Sequence, residues 1–196
     1  QRRVIRTLAQ RVSTLSAEWS AQELEFGHTQ AIIALLRNGV TGTSYPLPTG
    51  GIVWVERGGF WLGPQHPQPA FSLHLDVPGE ITLPSGLRVT ARILAGSISV
   101  IGEFSKTCAK KAALPWESKG LRTLMDYHHV HGPLQVRQRL PGDRYQPAGI
   151  TGEKKLQDIC VDEGIPRRWR QRLPVITDSL GIIWLPGAKP AQRVST

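Results

Sequence analysis

Cysteine is nearly absent. Cys108 and Cys160 are the only two in 196 residues, they lie 52 positions apart, and neither belongs to a paired motif. That excludes a disulfide framework and implies free thiols in a reducing cytoplasm. Long apolar runs are missing too. The nearest, residues 93–101, falls far short of the roughly 18 to 20 residues a membrane span needs, so no membrane partner is expected. Residues 1–10 hold three arginines and no apolar block of the kind a secretory signal carries. Paired carboxylates, a Cys/His or Ser/His constellation and a metal quartet are all lacking, and Thr49-Gly50-Gly51 leads into a hairpin, not into a helix. The chain is therefore expected to hold no catalytic residue, no cofactor and no metal of its own.

Acidic residues are scarce, 15 against 24 Lys and Arg, and the imbalance is uneven. Residues 1–63 carry 6 cations against 4 anions, residues 64–132 carry 7 against 5, and residues 133–196 carry 11 against 6. Charge alone fits a solvated basic surface as well as a nucleic-acid face. The arrangement argues for the second. Arg137, Arg139 and Arg144 flank Pro141-Gly142-Asp143, Lys154 and Lys155 follow, and Arg167, Arg168, Arg170 and Arg172 surround Trp169. Three short blocks beside a turn, a helix start and an aromatic ring can hold positive charge against a polyanion.

The periodicity implies an α+β chain. Val4, Ile5, Leu8, Ala9 and Val12 share one face of a first helix, with Arg2, Arg3 and Arg6 beside it. This helix opens without a cap, as at a fragment boundary. Ser20-Ala21-Gln22-Glu23 has capping-box spacing for a second helix, in which Phe26, Ile32, Ile33 and Leu36 form the buried stripe and Asn38-Gly39 the stop. His28 reads as a structural histidine. Residues 52–55 and 60–62 flank Glu56-Arg57-Gly58-Gly59 as a hairpin. Residues 1–63 thus form a small helical domain closed by a hairpin. Three prolines in residues 64–70 mark a stiff linker to a second α+β domain, residues 71–196.

In that domain Phe71/Leu73/Leu75, Ile81/Leu83, Leu87/Val89/Ala91/Ile93 and Ile98/Val100 alternate as strands of an antiparallel sheet. Residues 102–122 have no period and read as a long loop, with Trp116 as an anchor. His128, His129 and His131 suit a turn better than a zinc site, which needs a fourth ligand. Leu134 and Val136 face one side of a strand; Gln135, Arg137 and Arg139 face the other. Thr151 caps a helix buried through Leu156, Ile159 and Cys160, which sets Lys154 and Lys155 in its first turn, where a phosphate would offset their repulsion by the helix dipole. Gly164 ends that helix and Pro166 opens a short arginine-rich one. Trp169 packs inward and orients the arginines, or else stacks on a base. Residues 175–176 and 182–185 pair across Asp178-Ser179-Leu180-Gly181, and the last six residues are expected to be loose.

Several of these runs, taken in order, resemble the tRNA(Ile)-lysidine synthetase family. They are residues 134–144 (LQVRQRLPGDR), Lys154-Lys155-Leu156, Gly164-Ile165-Pro166 and Arg170-Gln171-Arg172-Leu173-Pro174. Residues 1–63 are similar to that family's helical middle domain through Phe26-Gly27-His28, Leu35-Leu36 and Leu47-Pro48-Thr49-Gly50. Residues 64–132 share only the general pattern and Met125-Asp126-Tyr127. The resemblance implies a terminal α+β domain shared with a phenylalanyl-tRNA synthetase subunit. It also implies a parent ligase that uses ATP, Mg and lysine on the wobble cytidine of an isoleucine tRNA. The family's Ser-Gly-Gly-x-Asp-Ser phosphate loop does not occur here. The expected role is therefore tRNA capture at the acceptor stem by Arg137, Arg139, Arg144, Lys154, Lys155, Arg167, Arg168, Arg170 and Arg172, with Arg2, Arg3 and Arg6. Expected partners are tRNA, the parent's catalytic domain and a second copy of the chain. The alternative is an assembly module with no direct RNA role.

Overall fold

The computed structural model describes residues 1–15, 24–56, 58–65, 70–84, 86–94, 97–104, 121–170 and 172–196. The chain divides into two compact units, Gln1–Pro67 and Gln68–Thr196. Both combine α and β elements. Among the described residues no helix is long and apolar enough to cross a membrane.

In the first unit α1 (Arg2–Leu15) and α2 (Phe26–Asn38) pack on a sheet of β1 (Ser44–Pro46), β2 (Gly51–Glu56) and β3 (Gly59–Pro64). Ile5, Ala9, Ile32, Leu47 and Val53 form the core. The apolar stripe of α1 is narrower than its sequence suggests. Val4 is 60% exposed and Leu8 38%, because the helix packs on the core through the edge that carries Ile5, Ala9 and Val12. Phe26 is also outside the core. It opens α2 at the surface, and the Arg2 guanidinium lies 4.3 Å from its ring centroid. Glu25 is the N-cap residue, with its backbone N–H donating to His28 Nδ1 at 3.1 Å, so the histidine is structural. The capping spacing at Ser20–Glu23 lies outside the described residues. Gly39 closes α2 because any Cβ there would collide with the Leu35 carbonyl oxygen. The expected hairpin forms, with Glu56 opposite Gly59.

The second unit holds two four-stranded antiparallel sheets. In chain order its strands are β4 (Ser72–Leu75), β5 (Gly79–Thr82), β6 (Leu87–Leu94), β7 (Ser97–Phe104), β8 (Arg122–Asp126), β9 (Leu134–Gln138), β10 (Arg144–Tyr145) and β11 (Lys154–Lys155), then β12 (Pro174–Asp178) and β13 (Gly181–Trp184). Helices α3 (Leu156–Asp162) and α4 (Arg167–Arg170) lie between β11 and β12. One sheet runs β5-β6-β7-β8 and the other β13-β12-β9-β4, while β10 and β11 pair separately. The alternating strands of the middle region are thus split. β4 leaves its sequence neighbours and pairs with β9, Leu73 opposite Val136, so that both strands bury the same apolar face. Leu87, Ile98, Met125, Leu134, Ile176, Ile183 and Trp184 are all fully buried in one core, and the Trp184 indole N–H donates to the Ala188 carbonyl at 2.9 Å.

The unperiodic stretch is shorter than expected, since β7 runs to Phe104 and β8 starts at Arg122. Residues 105–120, with Cys108 and Trp116, lie outside the described residues. Lys154 and Lys155 are not in a helix. They form β11, opposite Tyr145 and Arg144, and α3 begins only at Leu156. Pairing with β10 keeps the backbone extended through Lys155, so no helix capped at Thr151 forms. The final residues are not loose. Val194 is fully buried, Ser195 bridges to Met125, and the Arg193 guanidinium forks onto Asp178.

Candidate nucleic-acid interface

The basic region is built on β9 and the turn after it. Leu134 and Val136 enter the core, which turns the odd-numbered residues outward. Gly142 takes the positive φ (87°) that lets the chain double back within three residues. Arg137 closes this turn. Its Nη1 and Nη2 donate to Asp143 Oδ2 and Oδ1, both at 2.9 Å, and Asp143 also accepts the Leu140 N–H at 2.8 Å. Burial pushes the Asp143 carboxyl up. The Arg137 fork and the Leu140 N–H outweigh that and hold it below the usual carboxylate range. The Asp143 carbonyl then accepts the Leu156 N–H at 2.9 Å, joining the turn to the start of α3.

Arg137 is therefore a brace and not a free cation. Replacing it by alanine leaves the Asp143 carboxylate, 11% exposed, without its partner. A loss of about 2–3 kcal/mol in urea unfolding is expected, with no change in the salt dependence of any tRNA binding that survives. Two more expected contacts also have internal partners. Lys154 Nζ lies 3.1 Å from Asp162 and Arg144 Nε 3.8 Å from Glu153. Both pairs are exposed, so they hold their cations weakly.

The structure does bring a smaller set together. Cys160 is buried on α3; burial pushes its thiol up, and only the nearby Arg139 and Arg170 guanidiniums work against that. Arg170 donates Nε–H to the Ile165 carbonyl at 2.8 Å. Burial lowers its own proton affinity, and the neighbouring Arg139 and Arg167 lower it further, against the Cys160 thiol. Arg139, just past β9, and Arg167 and Arg170 of α4 are thus near enough to act on one another electrostatically. Trp169 is buried, with Arg168 5.2 Å and Arg172 4.6 Å from its ring centroid, so the ring braces arginines. On the other side Arg139 and Lys155 line a groove of about 570 Å³ between the 138–143 turn and α3. Among the described residues no carboxylate lies within 4 Å of Arg139, Lys155 or Arg170. Like charges held together cost free energy that an incoming anion recovers.

Arg2, Arg3 and Arg6 are exposed on α1 in the first unit. The histidines make a turn. Asp126 accepts the His128 N–H and faces His129 Nδ1, both at 2.9 Å, and no three metal-ligand side chains gather among the described residues. The sequence reading missed Gln138, Leu140, Pro141 and Gln157 in the groove. The exposed Leu-Pro-Gly after a basic strand was the available signal.

Residues 134–196 match the family model described as the TilS substrate C-terminal domain. The tRNA(Ile)-lysidine synthase of Symbiobacterium thermophilum is 35% identical over 95% of this chain and 36% of its own length. That of Oceanobacillus iheyensis is 30% identical over 87% of this chain and 34% of its own length. A crystal structure of a TilS C-terminal domain is 27% identical, covers 65% of this chain and 87% of its own, and gives a TM-score of 0.45. The chain spans about a third of the length of the curated relatives it matches. Residues 134–196 are thus a TilS substrate C-terminal domain, in a chain that belongs with the C-terminal part of the tRNA(Ile)-lysidine synthases.

Proposed function

We propose that this chain is the tRNA-gripping part of a lysidine-forming ligase. The parent enzyme joins lysine to the wobble cytidine of an isoleucine tRNA in the cytoplasm, using ATP and Mg in a catalytic domain whose phosphate loop is not in this sequence. The chain itself binds tRNA, at the acceptor stem, and performs no chemistry.

One observation carries the reading: Arg139, just past β9, shares a groove with Lys155 at the entry to α3 and lies near Arg170 of α4, and none of the three has a carboxylate within 4 Å among the described residues. A-form stems hide their base edges in a narrow groove, so such cations meet phosphates and 2′-hydroxyls. With Arg167 and Arg168 beside them, about five phosphates are engaged. The logarithm of tRNA affinity then falls against the logarithm of salt with a slope of roughly −3.5 to −4.5. Fluorescence anisotropy with labelled tRNA across a salt series measures it. A flat salt response, or no binding while the chain dimerises on a sizing column, would instead make it an assembly module.

A further inference from the structure

We infer that the groove between the 138–143 turn and α3 holds a single unpaired nucleotide of the bound RNA. The inference rests on the RNA-binding reading above and adds to it which form of RNA the site takes. At about 570 Å³ the groove has the size of a small-molecule pocket, a volume that suits one nucleotide and not a duplex with its two backbones. Its chemistry is also wrong for phosphate alone. Gln138 and Gln157 line it, and neither side-chain amide has a hydrogen-bond partner among the described residues. An amide offers a donor and an acceptor together, the pattern that a base presents on its Watson–Crick edge.

Leu140 and Pro141 add apolar surface to the same lining. Leu140 is 46% exposed, and its N–H, bonded to Asp143, pins the turn that carries it. An exposed leucine on a pinned turn gains from covering by a flat apolar ring. Arg139 and Lys155 complete the groove as cations for the flanking phosphates. Cation, amide and apolar surface within one pocket match phosphate, base edge and base face in turn.

The test compares two RNA hairpins of identical stem, one blunt and one carrying a single unpaired 3′ nucleotide, titrated against the full chain. Two amide contacts and the apolar surface give a preference of about tenfold for the unpaired form. The double variant Leu140→Ala/Gln157→Ala, both surface positions, lowers that ratio below about twofold. With 2-aminopurine as the unpaired base, fluorescence rises on binding, since the groove offers no aromatic ring to quench it. Equal affinities for both hairpins would overturn the inference while leaving RNA binding intact; binding of neither would overturn the RNA reading itself. A free nucleoside monophosphate that binds as tightly as the unpaired hairpin would assign the groove to a free nucleotide and overturn the inference too.

Discussion

Replacing Arg139, Lys155 and Arg170 together by alanine is expected to weaken tRNA binding on the order of a hundredfold near 0.1 M salt. Each phosphate contact contributes about 0.7 to 0.9 to the salt slope, so the slope should flatten by roughly 2 to 3. The three residues are suited to removal. Arg139 and Lys155 make no internal ion pair among the described residues, and Arg170 gives up one hydrogen bond to the Ile165 carbonyl. Their loss also relieves the mutual repulsion between Arg139 and Arg170, so the fold should survive. Circular dichroism checks that. A folded triple variant that binds tRNA as the parent chain does would remove the interface from consideration. Arg137 is left out of the set, because its loss acts through the turn and would confuse stability with affinity.

Arg193→Ala should cost about 3–5 kcal/mol of unfolding free energy, the penalty of stranding a buried charge. The Asp178 side chain is fully enclosed, and Arg193 approaches it through both terminal nitrogens, Nη1 at 2.8 Å from Oδ2. The His131 N–H donates to the same carboxylate at 3.0 Å and the Leu180 N–H at 2.9 Å. Burial pushes the Asp178 carboxyl up, but Arg193 and the two N–H donors more than reverse that and hold it below its ordinary value. The sign follows from linkage: a depressed folded pKa gives stability that is complete above the unfolded value of about 3.9 and drains away as pH falls through the folded one. In Arg193→Ala burial acts with less opposition, so acid unfolding should begin at higher pH than in the parent chain. Asp178→Asn should cost less, because the amide oxygen still accepts an N–H and Arg193, 32% exposed, keeps contact with water. Urea melts of both variants across pH separate the two effects. Equal, small losses would show that the pair contributes little.

Part of this was legible from residue order. The alternation of Leu134 and Val136 gave β9 and its outward face, and Leu156, Ile159 and Cys160 gave the buried side of α3. Trp169 also packs inward beneath the arginines as its spacing suggested. What stayed hidden depends on partners that periodicity does not encode. Lys154 and Lys155 looked helical because nothing in their own neighbourhood announces β10 as a pairing strand. Arg137 looked like a ligand contact because its carboxylate partner sits six residues on, across a turn whose closure only three dimensions reveal. Ala191 to Thr196 looked frayed because the sequence gives no sign that Asp178 is enclosed and awaiting a cation. The groove was missed for the same reason, since its two walls come from separate stretches.

The seating of Val194 and the Met125–Ser195 bridge also bears on how the chain matures. Domains generally fold as units during synthesis, but this one keeps a core position open until residue 195 has cleared the ribosome. A nascent chain halted before that point would display an incomplete interior, attractive to chaperones and proteases.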